Sequence, residues 1–123
     1  MLQSEIHHTK GKICSYVLKL AGDDIRPFYI YCGHTRDIEL RMLQHTGATP
    51  GGAVFCIAHP PEELLTVHIH ETVQEAMAAE CANFNLWAGK LKDYDRVRGG
   101  RLNGVEPLRY PPRGWRNNLL ASE

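Results

Sequence analysis

Residues 28–45, FYIYCGHTRDIELRMLQH, change their repeat pattern at a glycine, and this change decides the fold. Before Gly33 the residues are aromatic and β-branched, which is typical of a strand. From Asp37 the apolar positions recur every three or four residues. This pattern predicts a short helix that is capped by Thr35 or Asp37 and ended by Gly47. The stretch therefore predicts a strand, a turn and a helix in succession.

The flanking segments predict two further strands. Residues 13–20 (ICSYVLKL) should form an antiparallel hairpin with residues 28–32, and residues 64–70 (LLTVHIH) should form a third strand. Between them, residues 54–57 predict a brief extended piece within a loop. The expected fold is α/β of the mixed α+β kind, a small three-stranded antiparallel sheet flanked by helices.

The best-defined predicted element is a second helix, from about residue 73 to residue 91. Thr72 and Glu75 form a capping box at its start. Its apolar stripe contains one acidic position, Glu80, and otherwise consists of Val73, Met77, Phe84, Trp87 and Leu91. A carboxylate among apolar side chains is unfavourable unless it is paired, protonated or bound to a metal. For a glutamate considered alone, a structural ion pair is the usual explanation.

Two further side chains of the first helix are predicted to face the sheet. Arg41 lies on the inward side of that helix, and His45 follows one turn later on the same side. Alternation along the strand places Tyr29 and Tyr31 together on one face. Arginine, a metal-held carboxylate and tyrosine suit phosphoryl transfer, because that reaction requires charge on oxygen atoms to be stabilised. The sequence has no glycine-rich nucleotide-binding motif and no Gly-x-Ser-x-Gly elbow.

In this arrangement the sequence resembles the GIY-YIG nuclease superfamily, in particular its small single-domain, URI-like members. Residues 31–45 resemble the second half of the family core, where Y-x-G precedes a helix with an essential arginine and then a histidine or tyrosine. Residues 14–16 (CSY) stand in the place of the GIY element, and Glu75-Ala76 with Glu80 is similar to the family's E-A-x-x-x-E helix. Residues 45–65 also resemble the small members, so the resemblance covers roughly residues 13–91.

The resemblance implies a metal-dependent endonuclease, a hydrolase that cuts nucleic-acid phosphodiesters, with DNA as the expected partner. Tyr16 would deprotonate or orient the attacking water, and Tyr31 would support that water or contact the phosphate. Arg41 would stabilise the pentavalent phosphate, and His45 would assist in proton transfer. Glu80 would be the single protein ligand of one Mg²⁺ or Mn²⁺ ion.

Other positions are expected to surround this site. The family places small polar or basic residues near the phosphate after the glycine, and here these are His34, Thr35 and Arg36. An asparagine often closes the family's site, and the sequence does not choose between Asn83 and Asn85 for it. His68 and His70 are expected to be surface or strand residues without a metal.

The charge of the chain is unevenly distributed, although its formal net charge is zero. This predicts a nuclease domain over residues 1–95 and a basic C-terminal extension over residues 96–123. The extension combines aromatic residues with arginines, among them Arg109, Arg113 and Arg116. Such a composition suits contact with a phosphate backbone. An arm that packs on the domain explains it equally well.

Composition also excludes some classes of protein. No apolar run reaches the roughly 20 residues that span a bilayer, and the N-terminus lacks the apolar stretch of a signal peptide. A soluble protein of the cytoplasm is therefore expected. Four cysteines occur singly, which favours buried thiols over a zinc site or a disulfide framework.

Two alternative functions remain open from the sequence. One is a catalytically silent nucleic-acid-binding module on the same fold, which a metal-dependent cleavage assay would distinguish from a nuclease. The other is a protein-interaction or inhibitor module whose basic arm docks on a partner. The oligomeric state is not encoded in any recognisable pattern.

Overall fold

A computed structural model describes residues 11–99, which contain four strands, three helices and one 3₁₀ turn. The strands are β1 (Ile13–Ala21), β2 (Phe28–Thr35), β3 (Pro61–His70) and β4 (Val97–Gly99). The helices are α1 (Ile38–His45), α2 (Val54–Ala58) and α3 (Val73–Leu91), and the 3₁₀ turn is Tyr94–Arg96. The α+β class is confirmed.

The strands form one mixed sheet in the order β3-β1-β2-β4. Strand β1 pairs antiparallel with β2 and β3, whereas β4 pairs parallel with β2. The predicted sheet of three antiparallel strands is therefore wrong in one respect, because it lacks the fourth strand, which is parallel to β2. Strand β4 is too short for alternation to reveal it, and it forms because Val97 is buried beside Ile30. Gly99, at φ +78°, lies so close to the Cys32 carbonyl that a Cβ there would collide with it.

Helix α2 corrects a second prediction. The sequence predicts an extended piece over residues 54–57 because valine, phenylalanine and isoleucine favour strands, yet these residues form a short helix. Backbone amides of Ile57 and His59 donate to the carbonyls of Ala53 and Phe55 at 3.1 and 2.9 Å. Only Cys56 of this helix is buried. This helical turn thus buries one side chain, Cys56, and presents no strand edge that would need a pairing partner.

The sheet carries a hydrophobic core on each face, as the alternation of its strands predicts. On one face Tyr16, Tyr29 and Tyr31 pack with Ile38 and Met42 of α1. On the other face the core is formed with α3 and contains Val17, Ile30, Cys32, Phe84 and Ala88. All four cysteines, which lie within residues 11–99, are buried.

The caps of α1 and α3 agree with the sequence. The Asp37 side chain accepts a hydrogen bond from the Leu40 amide at 3.1 Å, and Thr72 accepts one from the Glu75 amide at 3.1 Å. Small residues on α3, including Ala76, are buried against the sheet, so the buried stripe is rotated from the predicted one. Within residues 11–99, no helix combines the length and the apolar character that crossing a bilayer requires.

Candidate active site

A buried hydrogen bond joins strand β1 to helix α1. The Tyr16 hydroxyl lies 2.7 Å from Nε2 of His45, and both residues are 0% exposed. The backbone amide of Ala53 donates to Nδ1 of the same ring at 3.3 Å. Because Nδ1 accepts this bond, the proton of the neutral imidazole is on Nε2, and His45 donates to the Tyr16 oxygen.

The protonation state of His45 follows from its surroundings. Burial lowers its pKa to about 4, and the positive charge of Arg41 contributes to this shift. The ring is therefore neutral at neutral pH, as the bond from Ala53 requires. Burial also raises the pKa of Tyr16 well above its usual value, against the lowering effect of Arg41. Tyr16 thus keeps its proton at neutral pH.

Tyr31 and Arg41 complete this cluster. The ring centroids of Tyr31 and His45 are 4.9 Å apart, and those of Tyr31 and Tyr16 are 6.3 Å apart. Burial raises the pKa of Tyr31, while the charge of Arg41 and a hydrogen bond from it lower it. A single guanidinium therefore acts on both tyrosine hydroxyls. Both Tyr31 and Arg41 remain partly accessible to solvent.

The loop after α1 fixes the orientation of Arg41. Nη1 of Arg41 donates to Gln44 Oε1 and to the Gly51 carbonyl, both at 2.9 Å. A Cβ at Gly52 would collide with the Gln44 carbonyl, so glycine is required for the loop to approach the helix end this closely. The same approach brings the Ala53 amide to His45. The glycines of this loop therefore position both helix side chains.

Gly33 performs a similar role for Tyr16. The two residues are directly paired in the register of β1 and β2. A Cβ on Gly33 would collide with the hydroxyl and the Cζ of Tyr16. The Tyr16 ring thus lies over a position where only hydrogen fits, which explains in steric terms why this residue is glycine.

Glu80 lies on the opposite face of the sheet, on α3. It is 5% exposed, and its Oε1 is 2.9 Å from Nδ1 of His34. His34 comes two residues after Cys32 in β2, so the two side chains lie on the same face of the sheet. The negative charge of Glu80 raises the pKa of Tyr31, so the carboxylate acts electrostatically on the tyrosine cluster across β2. The residues thus form two groups that meet at this strand.

The donor set at Glu80 fits a hard divalent cation that takes most of its ligands from elsewhere. Among residues 11–99, no group of three or more histidine, cysteine, aspartate or glutamate side chains could hold a metal. Mg²⁺ commonly binds through one or two carboxylates and retains water and phosphate oxygens as its other ligands. One buried carboxylate beside an imidazole is compatible with this pattern.

Arg98 is a neighbour of the cluster that the sequence does not identify. Its charge groups it with the basic extension, but β4 pairs it with Tyr31 in parallel register. Its guanidinium lies 4.4 Å from the centre of the Phe55 ring. Its Nε is buried without a hydrogen-bond partner among the described residues. The only sequence signal is its place in a run of basic residues.

The other predicted residues lie in different surroundings. The Thr35 hydroxyl accepts from the Asp37 amide at 3.1 Å, and Arg36 is exposed. Asn83 has a buried amide nitrogen without a partner in the described part of the chain, whereas Asn85 is exposed. Three predicted nucleic-acid contacts lie outside the described residues, namely Arg109, Arg113 and Arg116.

His70 and His68 are in strand β3, as predicted. His70 Nε2 lies 2.7 Å from the hydroxyl of the buried Ser15, and His68 is exposed. Their placement agrees with the prediction that they are strand and surface residues.

A comparison with protein-family models identifies the GIY-YIG catalytic domain over residues 23–90, which is more than half of the chain. The match contains Tyr31, Arg41, His45 and Glu80, whereas Tyr16 precedes it. Neither a search of curated proteins nor a search of solved structures found a match. The matched segment includes the strand-to-helix unit around Gly33, helix α1 and nearly all of α3, and on this basis the chain belongs to the GIY-YIG family.

Proposed function

We propose that this protein is a metal-dependent endonuclease that hydrolyses nucleic-acid phosphodiester bonds, with DNA as the expected substrate. Membership of the GIY-YIG family supports a nuclease and a nucleic-acid substrate. The observation that carries the proposal is the arrangement of Tyr16, Tyr31, Arg41 and His45. In it, a neutral imidazole donates to a tyrosine oxygen, and one guanidinium acts on two tyrosine hydroxyls.

The protonation states suggest how Tyr16 would act. His45 Nε2–H donates to the Tyr16 oxygen and Arg41 lowers the pKa of Tyr16, and both effects favour a phenolate. Burial opposes ionisation more strongly, so Tyr16 keeps its own proton in the resting protein. We therefore assign Tyr16 the orientation of the attacking water through its hydroxyl. In this assignment His45 fixes the direction of that hydroxyl, because its Nε2–H occupies one acceptor position of the oxygen.

Arg41 and Tyr31 are the side chains of this cluster that substrate would meet first, since both are partly accessible. Charge on the equatorial phosphate oxygens increases in the transition state of hydrolysis, and a fixed guanidinium stabilises it. The bonds from Arg41 to Gln44 and Gly51 hold the guanidinium in place before substrate binds. Tyr31 would then contact the scissile phosphate or the water.

Nucleases of this family generally depend on a divalent metal. We propose that Glu80 holds such an ion, Mg²⁺ or Mn²⁺, and that the ion supplies positive charge to the phosphate oxygens when it is bound. The place of Glu80 within the matched domain, at the position of the family's E-A-x-x-x-E helix, supports this role.

We further propose that Arg98 binds a backbone phosphate next to the scissile one. Its position beside Tyr31 places a permanently charged group on the same face as the tyrosine cluster. Its buried Nε, which lacks a partner among residues 11–99, is a donor that a phosphate oxygen could satisfy. The predicted contacts by His34, Thr35 and Arg36 remain proposals of the same kind.

One observation favours a second candidate, a nucleic-acid-binding module without turnover. Both Tyr16 and His45 are 0% exposed, so substrate could not reach the tyrosine hydroxyl without a local rearrangement. In a binding module these two residues would be part of the core, and only the accessible arginines would contact the ligand.

The decisive experiment combines binding and cleavage on the same labelled substrates. Single-stranded, duplex and branched DNA, and RNA of the same sequence, are incubated with the protein in Mg²⁺, Mn²⁺ or EDTA. A nuclease cuts at least one of them in metal and none in EDTA, and Arg41→Ala abolishes the cutting. Binding without cutting in every metal would favour the second candidate.

A further inference from the structure

His34 follows the glycine of the Y-x-G motif, and its side chain contacts Glu80 of α3. Its Nδ1 is 2.9 Å from Glu80 Oε1, and its side chain is 28% exposed whereas that of Glu80 is 6% exposed. The imidazole is therefore more accessible to solvent than the carboxylate that it contacts.

The separation of the two atoms matches that of adjacent ligands on a metal. In an octahedral site with bonds of about 2.1 Å, two ligands at a right angle are about 3.0 Å apart. A cation to one side of the line from Nδ1 to Oε1 could therefore bind both atoms at their present separation, once each side chain turns toward it. Imidazole nitrogen is also a common ligand of transition-metal ions.

We infer that His34 and Glu80 together form a two-residue metal site, in which Nδ1 of His34 is a second protein ligand. This inference rests on the proposed function of Glu80 and adds a nitrogen donor to it. A carboxylate with an imidazole should bind ions late in the first-row series more tightly than Mg²⁺. The site should therefore bind Mn²⁺, and Ni²⁺ still more tightly, in preference to Mg²⁺.

The neighbouring histidines provide a matched control. His68 lies on the same face of the sheet, because the register of β1 pairs Ser15 with His34 on one side and with His68 on the other. His68 is exposed, and the histidine that lies within hydrogen-bond distance of Glu80 Oε1 is His34. Replacing His68 changes the histidine content equally without removing the proposed ligand.

The test is pulsed electron paramagnetic resonance of Mn²⁺ bound to the full chain. We expect a directly bound ¹⁴N in the wild type, its replacement by ¹⁵N when the chain is grown with ¹⁵N-histidine, and its retention in His68→Asn. Isotope labelling leaves the fold unchanged, so this readout does not depend on the stability of a variant. His34→Asn should lose the nitrogen signal and bind Mn²⁺ at least about tenfold more weakly.

The outcomes separate this inference from the function on which it rests. Mn²⁺ that binds the wild type, is lost in Glu80→Gln and has no histidine nitrogen would overturn the two-residue site and leave Glu80 as the single ligand. A nitrogen signal that persists in His34→Asn would overturn it as well. If the wild type bound no Mn²⁺ in the absence of DNA, the two-residue site would be wrong, whereas the proposed metal dependence is tested separately by cleavage in metal and in EDTA.

Discussion

The Tyr16 hydroxyl is 2.7 Å from His45 Nε2, and the Ala53 amide occupies the other ring nitrogen of His45. This pair of bonds makes the histidine the donor and the tyrosine the acceptor. The tyrosine proton is consequently directed away from the histidine. Two hydrogen bonds, from the Ala53 amide to His45 and from His45 to Tyr16, thus set the orientation of the Tyr16 hydroxyl.

Removing that hydroxyl should have separate effects on stability and activity. Tyr16→Phe retains the ring but leaves the buried Nε2–H of His45 without an acceptor, which costs about 1–3 kcal/mol of unfolding free energy. Chemical denaturation measures this change, and the double variant Tyr16→Phe with His45→Leu should recover part of it. If the losses of unfolding free energy in Tyr16→Phe and His45→Leu simply added in the double variant, this would contradict the hydrogen bond.

His45 should make the stability depend on pH. Its pKa is about 4 in the folded protein, against an ordinary value of 6.5 when unfolded. The unfolded chain therefore binds a proton in this window and the folded chain does not, so stability falls as pH decreases from 6.5 towards 4. The loss amounts to about 3 kcal/mol at pH 4 relative to pH 7.

The measurement for His45 is a comparison of denaturation curves at several pH values. The other titrating groups are common to wild type and His45→Gln, so the difference between their pH profiles isolates this residue. The variant should show a shallower decline between pH 6.5 and pH 4. Parallel profiles would contradict the proposed neutral, buried state.

Gly33→Ala tests the close contact with Tyr16. The added methyl group would collide with the ring and the hydroxyl, so we expect a loss of about 1–3 kcal/mol and a displaced Tyr16. Gly89→Ala is the matched control, because this glycine is exposed in α3 and a Cβ there would meet nothing within 4 Å. It should stabilise the protein by about 0.5–1 kcal/mol. Thermal unfolding of both variants shows whether each one loses or gains stability, and equal changes in stability would contradict the steric argument.

Arg41 and Arg98 should differ in what they contribute. Arg41→Lys keeps the charge but loses the planar fork, so turnover should fall by about 100-fold or more.

Arg98→Ala should mainly weaken DNA binding and reduce its salt slope by about one. Lys90→Ala controls for net charge, because Lys90 is exposed on the helix and stacks over Trp87. An unchanged salt slope in Arg98→Ala would remove this residue from the phosphate contacts.

The local elements are predictable because their signals are local. A capping box and a long repeat define α3, and alternation along the strand is sufficient to assign Tyr31 and Cys32 to opposite faces of the sheet. The spacing of Arg41 and His45 places both on the inward side of α1. These features depend on residues that are within a few positions of one another.

The missed features depend on contacts between distant segments. Strand β4 has three residues, and only its pairing with β2 defines it. The position of Arg98 beside Tyr31 follows from that pairing and has no local signal. The contact between His34 and Glu80 links residues 46 positions apart. Helix α2 shows the reverse case, in which residues with strand propensity form a helix that packs Cys56 and Phe55 against the core.

The most direct test of the central claim is single-turnover cleavage of an end-labelled DNA substrate, in Mg²⁺ and in EDTA, by the wild type, Glu80→Gln and Tyr16→Phe. Thermal unfolding and DNA binding of each variant establish that it is folded and occupied. We predict that the wild type cuts only with metal and that both variants bind DNA but cut at least about 100-fold more slowly. Cleavage in EDTA, or wild-type rates in the folded Glu80→Gln variant, would contradict the account.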